Sequence, residues 1–145
     1  MVHVRSAVVA DAERVSLLIT ELGYPTNDEA MRNRLAVILG DPDYATFVAE
    51  SGTNVIGVAG GSLDWYYEKD GRYSRILVLA VSSSARGIGI GSQLVSAIEQ
   101  WAGSNGAREV FVNSGVQRKD AHRFYERCGY SRTGFRFVKR LTDGS

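Results

Sequence analysis

Cysteine and histidine are scarce in this chain of 145 residues. The single cysteine, Cys128, excludes an internal disulfide framework. The two histidines, His3 and His122, stand far apart and have no companions at the spacing of metal ligands. We therefore expect no structural zinc site and no other bound metal.

Long hydrophobic runs are also missing. The longest uncharged apolar stretch, Ile76 to Val81, is far shorter than the ~20 residues of a membrane-spanning helix. No signal-peptide pattern precedes His3. Hydrophobic residues make up 44% of the chain and charged residues 23%, which is the balance of a folded globular protein. We expect one cytoplasmic domain over residues 1–145 that makes no contact with a membrane.

The charge of the chain is nearly balanced in total but not along its length. Residues 1–72 hold six Lys or Arg against eleven Asp or Glu, a balance of −5, whereas residues 73–145 hold eleven against five, a balance of +6. A basic C-terminal half favours a ligand with negative charge, and an acidic N-terminal half favours a cationic one.

Hydrophobic spacing and turn residues predict an alternation of strands and helices. The predicted strands are His3–Val9, Thr46–Glu50, Val55–Tyr67, Arg75–Ser82, Glu109–Asn113 and a strand-like segment, Ser131–Leu141. Helices are expected from an Asp11 cap to a Gly23 stop, from a Thr26–Glu29 capping box to Gly40, from Gly87–Gly91 to Gly103, and over Arg118–Cys128. This order predicts an α/β domain (α+β in some schemes) with a mixed sheet. Its central strand would be Arg75–Ser82, which forms a parallel βαβ unit with Glu109–Asn113.

A glycine-rich turn lies between this strand and its helix, with the sequence Arg86-Gly87-Ile88-Gly89-Ile90-Gly91-Ser92. Alternate glycines let a ligand approach the backbone, and the N–H groups of a helix N-terminus attract anions. Arg86 adds a planar fork of donors suited to phosphate oxygens. The turn lacks the Lys of a Walker A loop, and Ser92 stands where a dinucleotide fingerprint needs Gly or Ala.

Leu77–Val81 followed by Arg86–Gly91 resembles the acetyl-CoA motif of the GNAT superfamily of N-acetyltransferases, whose loop reads Q/R-x-x-G-x-G/A. Downstream, Ala121–Tyr130 is similar to the A-x-x-F-Y-x-x-x-G-F/Y helix of that family. Together the two motifs span residues 75–130 approximately. The resemblance implies a GNAT-like mixed sheet of about six or seven strands, about four flanking helices and a splayed parallel strand pair.

The same resemblance assigns roles to individual residues. The backbone of Leu79, Ala80 and Val81 would bind the pantetheine arm of acetyl-CoA, and the turn would bind its pyrophosphate through Arg86, Gly87, Ile88, Gly89, Ile90, Gly91 and Ser92. Asn113 would add hydrogen bonds to the same cofactor. Tyr125 matches the general acid that protonates the departing thiolate.

The general base is left open, because Leu77 stands where family members often carry a glutamate. Glu50, Asp64, Glu68 and Asp70 are alternative sources, or water suffices if the amine arrives neutral. The first two helices and the Trp65–Tyr67 hairpin would form walls for a small-molecule primary amine. Polyamines, aminoglycosides, amino acids, arylalkylamines and protein termini all fit this description.

We therefore expect an acetyl-CoA-dependent N-acetyltransferase with no nucleic-acid partner. Homodimers are common among similar proteins, although no motif here marks an interface. One alternative is a CoA-binding sensor without turnover. Another is a nucleotide- or RNA-binding domain, which the alternation Phe135-Arg136-Phe137 would suit.

Overall fold

Five strands form one mixed sheet in the computed structural model, which describes residues 1–113, 119–134 and 137–142, with Lys119 described by its main chain alone. Their bounds are β1 Val2–Ser6, β2 Tyr44–Ser51, β3 Asn54–Trp65, β4 Arg72–Val81 and β5 Ala107–Val112. The strands lie in sequence order; β1 to β4 are antiparallel to their neighbours, and β4 is parallel to β5. The predicted βαβ unit is thus confirmed.

Among the five described strands the middle one is β3, whereas the expected central strand, Arg75–Ser82, is the fourth. Both β3 and β4 carry apolar residues on both faces, but β3 is the more continuously buried, with every residue from Gly57 to Leu63 buried. Apolar runs report burial on both faces, and the position of a strand in the sheet depends on pairings that burial does not reveal.

Four helices accompany the sheet: α1 Ala12–Leu22, α2 Asp28–Ile38, α3 Ile90–Ser104 and α4 Lys119–Arg127. Gly23 ends α1 with a left-handed φ of 119°, as predicted. The cap of α2 differs by one residue from the expected Thr26. Asn27 is extended, and its side chain accepts a hydrogen bond from the Ala30 N–H at 2.8 Å. Asparagine caps a helix as well as threonine does, so the sequence allowed either.

The predicted Asp11 cap is also different. Asp11 has a helical backbone and makes no side-chain cap for α1. Its carboxylate instead accepts hydrogen bonds from the Val8 N–H at 2.9 Å and from the guanidinium of Arg5. Because the Asp11 carboxylate already accepts hydrogen bonds from Arg5 and from the turn before α1, it is not available to cap α1.

Two apolar layers hold the sheet between helices. One face packs on α1 and α2, with a core of Ala7, Ala12, Val15, Leu18, Met31, Leu35, Val48, Val55, Val58 and Ala80. The other face packs on α3, where Ile90, Leu94 and Ile98 are fully buried. A Cβ on Gly57 would lie 2.9 Å from the Leu94 side chain, and one on Gly61 would lie 3.1 Å from Ile98. These two glycines therefore let α3 approach β3 closely.

The chain divides into two compact units, Met1–Val112 and Asn113–Ser145. In the second unit the described residues of Ser131–Leu141 form no strand, so the described sheet has five strands and not the expected six or seven. Strand propensity forms a ladder only where a partner strand supplies hydrogen bonds. The predicted Arg118, Phe135 and Arg136 lie outside the described residues. None of the described helices has the length and apolar character to cross a membrane. The single domain over 1–145 stays a prediction.

Candidate active site

The turn after β4 has the backbone of an anion-binding loop. A single 3-10 turn, Ser83–Ala85, leads through Arg86 into two left-handed glycines, with φ of 86° at Gly87 and 85° at Gly89. A Cβ added at either glycine would meet nothing within 4 Å. Glycine is therefore needed there for the backbone conformation and not for want of space.

Several N–H groups of this turn have no backbone acceptor. Within the described chain the N–H groups of residues 87–92 donate no backbone hydrogen bond, and the first helical bond runs from the Gln93 N–H to the Gly89 carbonyl at 3.2 Å. Gly87, Ile88 and Gly89 are exposed. Free donors at the positive end of a 15-residue helix attract anions, which is what the predicted pyrophosphate site requires.

Arg86 lies beside these donors with 60% of its side chain exposed. Its Nε donates to the Val81 carbonyl at 3.3 Å, and a terminal nitrogen lies 3.8 Å from a carboxylate oxygen of Glu21. Exposed ion pairs at such distances contribute little, so the guanidinium can turn to a phosphate at small cost.

Glu21 was not singled out by the sequence, because an acid in the last turn of α1 belongs to no motif. Its carboxylate accepts hydrogen bonds from the Ser83 N–H at 2.7 Å and from the Ser83 hydroxyl at 3.3 Å. It thereby ties α1 to the segment that leads into the turn.

One edge of β4 loses its strand partner halfway along the strand. The parallel ladder with β5 covers Arg72 to Ile76 and ends at the pair Ile76–Val112. From Leu77 to Val81 this edge has no strand partner among the described residues, while the other edge stays paired with β3. An open strand edge offers N–H and C=O groups to an extended ligand.

A β-bulge marks the same point. Gly60 lies opposite Val78 and Gly61 opposite Ile76, so Leu77 is the extra residue of β4. Its side chain is 52% exposed. The residue that stands at the family's glutamate position is thus at the bulge, where the ladder ends, and carries no carboxylate.

The free edge of β4 leads into the glycine turn as the motif predicts, and the bulge is an addition that the motif did not predict. A family model confirms the resemblance. The model described as "Acetyltransferase (GNAT) family" matches residues 12–130. The chain belongs to this family. As a GNAT protein it is an acyl-CoA-dependent acetyltransferase.

Individual relatives agree with that assignment. The GNAT protein is 34% identical over 140 residues to an aminoalkylphosphonate N-acetyltransferase of Salmonella typhimurium, which covers 96% of this chain and 91% of the relative. A GNAT family acetyltransferase of Staphylococcus aureus has a similar structure, with a TM-score of 0.83, 28% identity and coverage of 97% and 98%. An aminoglycoside N-acetyltransferase in complex with CoA shares the fold at a TM-score of 0.86 and 22% identity, covering 97% of this chain and 94% of that one.

Tyr125 and Asn113 belong to the second unit of this GNAT protein. Tyr125 is half-buried on α4, and its ring lies 5.2 Å from that of Phe124 and 5.9 Å from that of Tyr130. Asn113 directly follows β5 and is exposed. Their predicted contacts with acetyl-CoA stay predictions, as do those of Leu79 to Val81 and of the turn.

The four candidate carboxylates have different surroundings. Glu50 is paired with Arg5 at 3.2 Å, and Glu68 is exposed beyond the end of β3, as is Asp70. Asp64 is half-buried on β3, where a carboxylate oxygen lies 3.4 Å from the Ser62 hydroxyl. Asp64 lies opposite Tyr73 of β4. Tyr73 precedes Leu77 by four residues, a distance of about 13 Å along an extended strand.

The predicted aromatic wall is largely engaged in local contacts. The Trp65 ring stacks on the guanidinium of Arg72 at 4.6 Å, and Tyr67 is fully exposed. The Tyr66 hydroxyl donates to Glu109, and partial desolvation together with this hydrogen bond raises the pKa of Tyr66 to about 12. The same bond, with a second from Lys69, lowers the pKa of the Glu109 carboxyl.

Proposed function

We propose that this protein transfers the acetyl group of acetyl-CoA to the primary amine of a small molecule by direct attack. The observation that carries the proposal is the continuity of the unpaired β4 edge, from Leu77 to Val81, with the glycine turn and its free N–H groups. A long ligand with an amide-containing arm and a pyrophosphate needs both features in that order.

The residues of the turn fit the phosphates of CoA. The N–H groups of residues 87–92 would donate hydrogen bonds to the pyrophosphate oxygens, and Arg86 would exchange its long contact with Glu21 for a phosphate. The backbone of Leu79, Ala80 and Val81 would pair with the pantetheine arm, except that the Val81 carbonyl already accepts from Arg86. Asn113 would add a hydrogen bond. Bound in this way, acetyl-CoA supplies an activated acetyl group.

The protein's part in the chemistry is positioning and proton transfer. A neutral amine would attack the thioester carbonyl, and backbone N–H groups near Leu79 to Val81 would stabilise the negative charge that develops on its oxygen. Tyr125 would give its proton to the sulfur as the C–S bond breaks, while the proton that the attacking nitrogen loses passes to solvent, which then reprotonates the tyrosine. A phenol that holds its proton at neutral pH can act as this acid.

Among the described residues, none of the four candidate carboxylates stands at the position of Leu77, where family members often carry a glutamate. Asp64 is about 13 Å along the strand from Leu77, and Glu50 is held by Arg5. We therefore assign deprotonation of the amine to solvent before attack, so that the acceptor's own pKa controls the rate at low pH.

The relative in Salmonella typhimurium suggests which amines to try first. Its name describes an aminoalkylphosphonate N-acetyltransferase, and it is similar to this chain along almost its whole length. We propose that the acceptor is a small aminoalkyl compound of this kind. A cytoplasmic location, a homodimer and the lack of metal, membrane and nucleic-acid partners stay predictions.

The test begins with calorimetric titrations of acetyl-CoA and CoA, with ATP, NAD and a short RNA as controls at the same salt concentration. Micromolar binding of CoA with silent controls, followed by amine-dependent release of thiol, would support the proposal. Binding of CoA without thiol release on any amine would favour a sensor. A folded protein that does not bind CoA would contradict the assignment of the turn.

A further inference from the structure

We propose that Arg75 binds an acidic group of the acceptor, so that the protein acetylates amines that also carry a phosphonate. The proposal rests on the acetyltransferase function proposed above and adds the chemical class of its acceptor. It starts from the uneven covering of one face of the sheet.

This face is apolar at one end and polar at the other. Val48, Val58 and Ala80 lie opposite one another and are buried under α1 and α2. Because side chains alternate along a strand, Ser62 and Asp64 of β3 lie on the same face as Val58, and Arg75 and Tyr73 lie opposite them on β4. Further out on this face Tyr44 and Phe111 are exposed. The polar end of the sheet is therefore only partly covered.

Arg75 is the half-buried arginine of the sheet for which the described residues supply no counterion. Arg5 pairs with Asp11 and Glu50, and Arg72 pairs with Asp43 at 2.9 Å. Within the same described ranges no carboxylate lies within ion-pair distance of Arg75, and its Nε is buried without a hydrogen-bond partner. The guanidinium carbon of Arg75 lies 6.0 Å from the centre of the Tyr73 ring.

A half-buried permanent cation that has no carboxylate partner among the described residues is suited to an incoming anion. The guanidinium carries five donors in a planar fork and stays charged at any pH of interest. Phosphonate oxygens match that fork through two parallel hydrogen bonds. Partial burial strengthens such a contact, because less water competes for the donors.

The position along β4 also limits the size of the acceptor. Arg75 precedes the bulge residue Leu77 by two positions, and the free edge begins there. Two residues of extended chain span about 7 Å. An amine that reacts beside the free edge would therefore reach Arg75 with its acidic group through a linker of only a few carbons.

The experiment compares acceptors and variants at saturating acetyl-CoA. The acceptors are 2-aminoethylphosphonate, β-alanine as the carboxylate of similar length, and ethanolamine as an uncharged reference. The variants are Arg75→Gln, Arg75→Lys, which keeps the charge but loses the fork, and the matched control Arg108→Gln. Arg108 is an exposed arginine of β5 that donates to the Asp70 carbonyl, so its loss changes the net charge equally.

We expect the wild type to prefer 2-aminoethylphosphonate to ethanolamine. Arg75→Gln should lower kcat/KM for the phosphonate by about 10- to 100-fold, mainly through KM, and leave that for ethanolamine within about twofold. Arg75→Lys should recover part of the loss, and Arg108→Gln should change neither. A preference for β-alanine that also depends on Arg75 would replace phosphonate by carboxylate and so overturn the stated class.

Two results separate failure of this inference from failure of the proposed function. If the protein acetylates amines and Arg75→Gln affects the phosphonate and ethanolamine alike, the role of Arg75 is wrong and the acetyltransferase function stands. If no amine is acetylated, the proposed function fails. Calorimetry with 2-aminoethylphosphonate then tests, without any turnover, whether Arg75 binds the anion. Binding that is lost in Arg75→Gln supports the anion site, and absent or unchanged binding overturns it. Equal melting temperatures of variant and wild type confirm that the fold is intact.

Discussion

Arg5 and Asp11 form a two-pronged ion pair between β1 and the start of α1. The two terminal nitrogens of Arg5 each lie 2.9 Å from one carboxylate oxygen of Asp11. Asp11 also accepts a hydrogen bond from the Val8 N–H, and Arg5 donates a further hydrogen bond to Glu50 on β2. The hydrogen bonds that Arg5 donates lower the pKa of the nearly buried Asp11 carboxyl, and the same bonds to Asp11 and Glu50 raise the pKa of Arg5.

Asp11→Asn should destabilise the first unit by about 2 kcal/mol, because it removes a charged acceptor from a partly buried pair. Urea unfolding, followed by fluorescence of the tryptophans, measures the change. Arg32→Gln is the matched control, since it breaks an exposed pair with Asp28 within α2 and should cost less than about 0.5 kcal/mol. Equal losses in the two variants would show that the Arg5–Asp11 pair has no special weight.

The same pair predicts how stability depends on acid. Because the folded pKa of Asp11 lies below its unfolded value, its contribution is present above the unfolded pKa of about 4 and is lost as the pH falls through the folded pKa. The wild type should therefore lose more stability than Asp11→Asn between pH 5 and the acid range, about pH 2 to 3. If the free energy of unfolding falls equally with pH in the two proteins, the lowered pKa of Asp11 is contradicted.

Gly89→Val should abolish CoA binding while the fold is kept. A β-branched residue at a φ of 85° is strained by about 1 to 2 kcal/mol, which a domain of ordinary stability tolerates, but the turn would move its N–H groups. Calorimetry with CoA and a thermal melt give the two readings. Gly103→Ala, in the last turn of α3 and with open space around it, should bind CoA normally. Normal CoA affinity in Gly89→Val would remove the turn from the site.

Tyr125→Phe should lower kcat by about 100-fold and change the Kd of CoA little, since it removes a proton donor but keeps the ring. Tyr130→Phe makes the same chemical change on a neighbouring ring and should keep most of the activity. Pre-steady-state thiol release at several pH values measures both variants. A Tyr125→Phe enzyme with wild-type kcat would assign the residue to packing.

Glu109→Gln should lower the pKa of Tyr66 from about 12 towards the ordinary value near 10, because the neutral hydroxyl loses a charged acceptor. With a raised folded pKa, this tyrosine stabilises the fold fully below pH 10 or so and loses that contribution as the pH rises through about 12. Absorbance of tyrosinate at alkaline pH should show one group titrating earlier in the variant. An unchanged titration would mean that the contact does not persist in solution.

The sequence predicted much of the fold because its signals are local. Gly23 ends α1, and the βαβ unit around α3 appears where hydrophobic spacing and the glycine turn place it. The cap of α2 was missed by one residue because Thr26 and Asn27 have similar chemistry. The last strand was predicted from propensity at Ser131–Leu141, which says nothing about a partner.

Short motifs by themselves thus determined the family, and they are the source of the predictions that Arg86–Gly91 binds an anion and that Tyr125 is the acid. Only the tertiary structure decided that Leu77 is a bulge, that Glu21 holds the approach to the turn, and that Arg75 has no described counterion whereas Arg5 and Arg72 do. The reason is physical. Backbone conformation and helix ends depend on neighbours within a few residues, whereas strand register and many ion pairs join residues that are distant in the sequence, as Arg5 and Glu50 are at 45 positions apart.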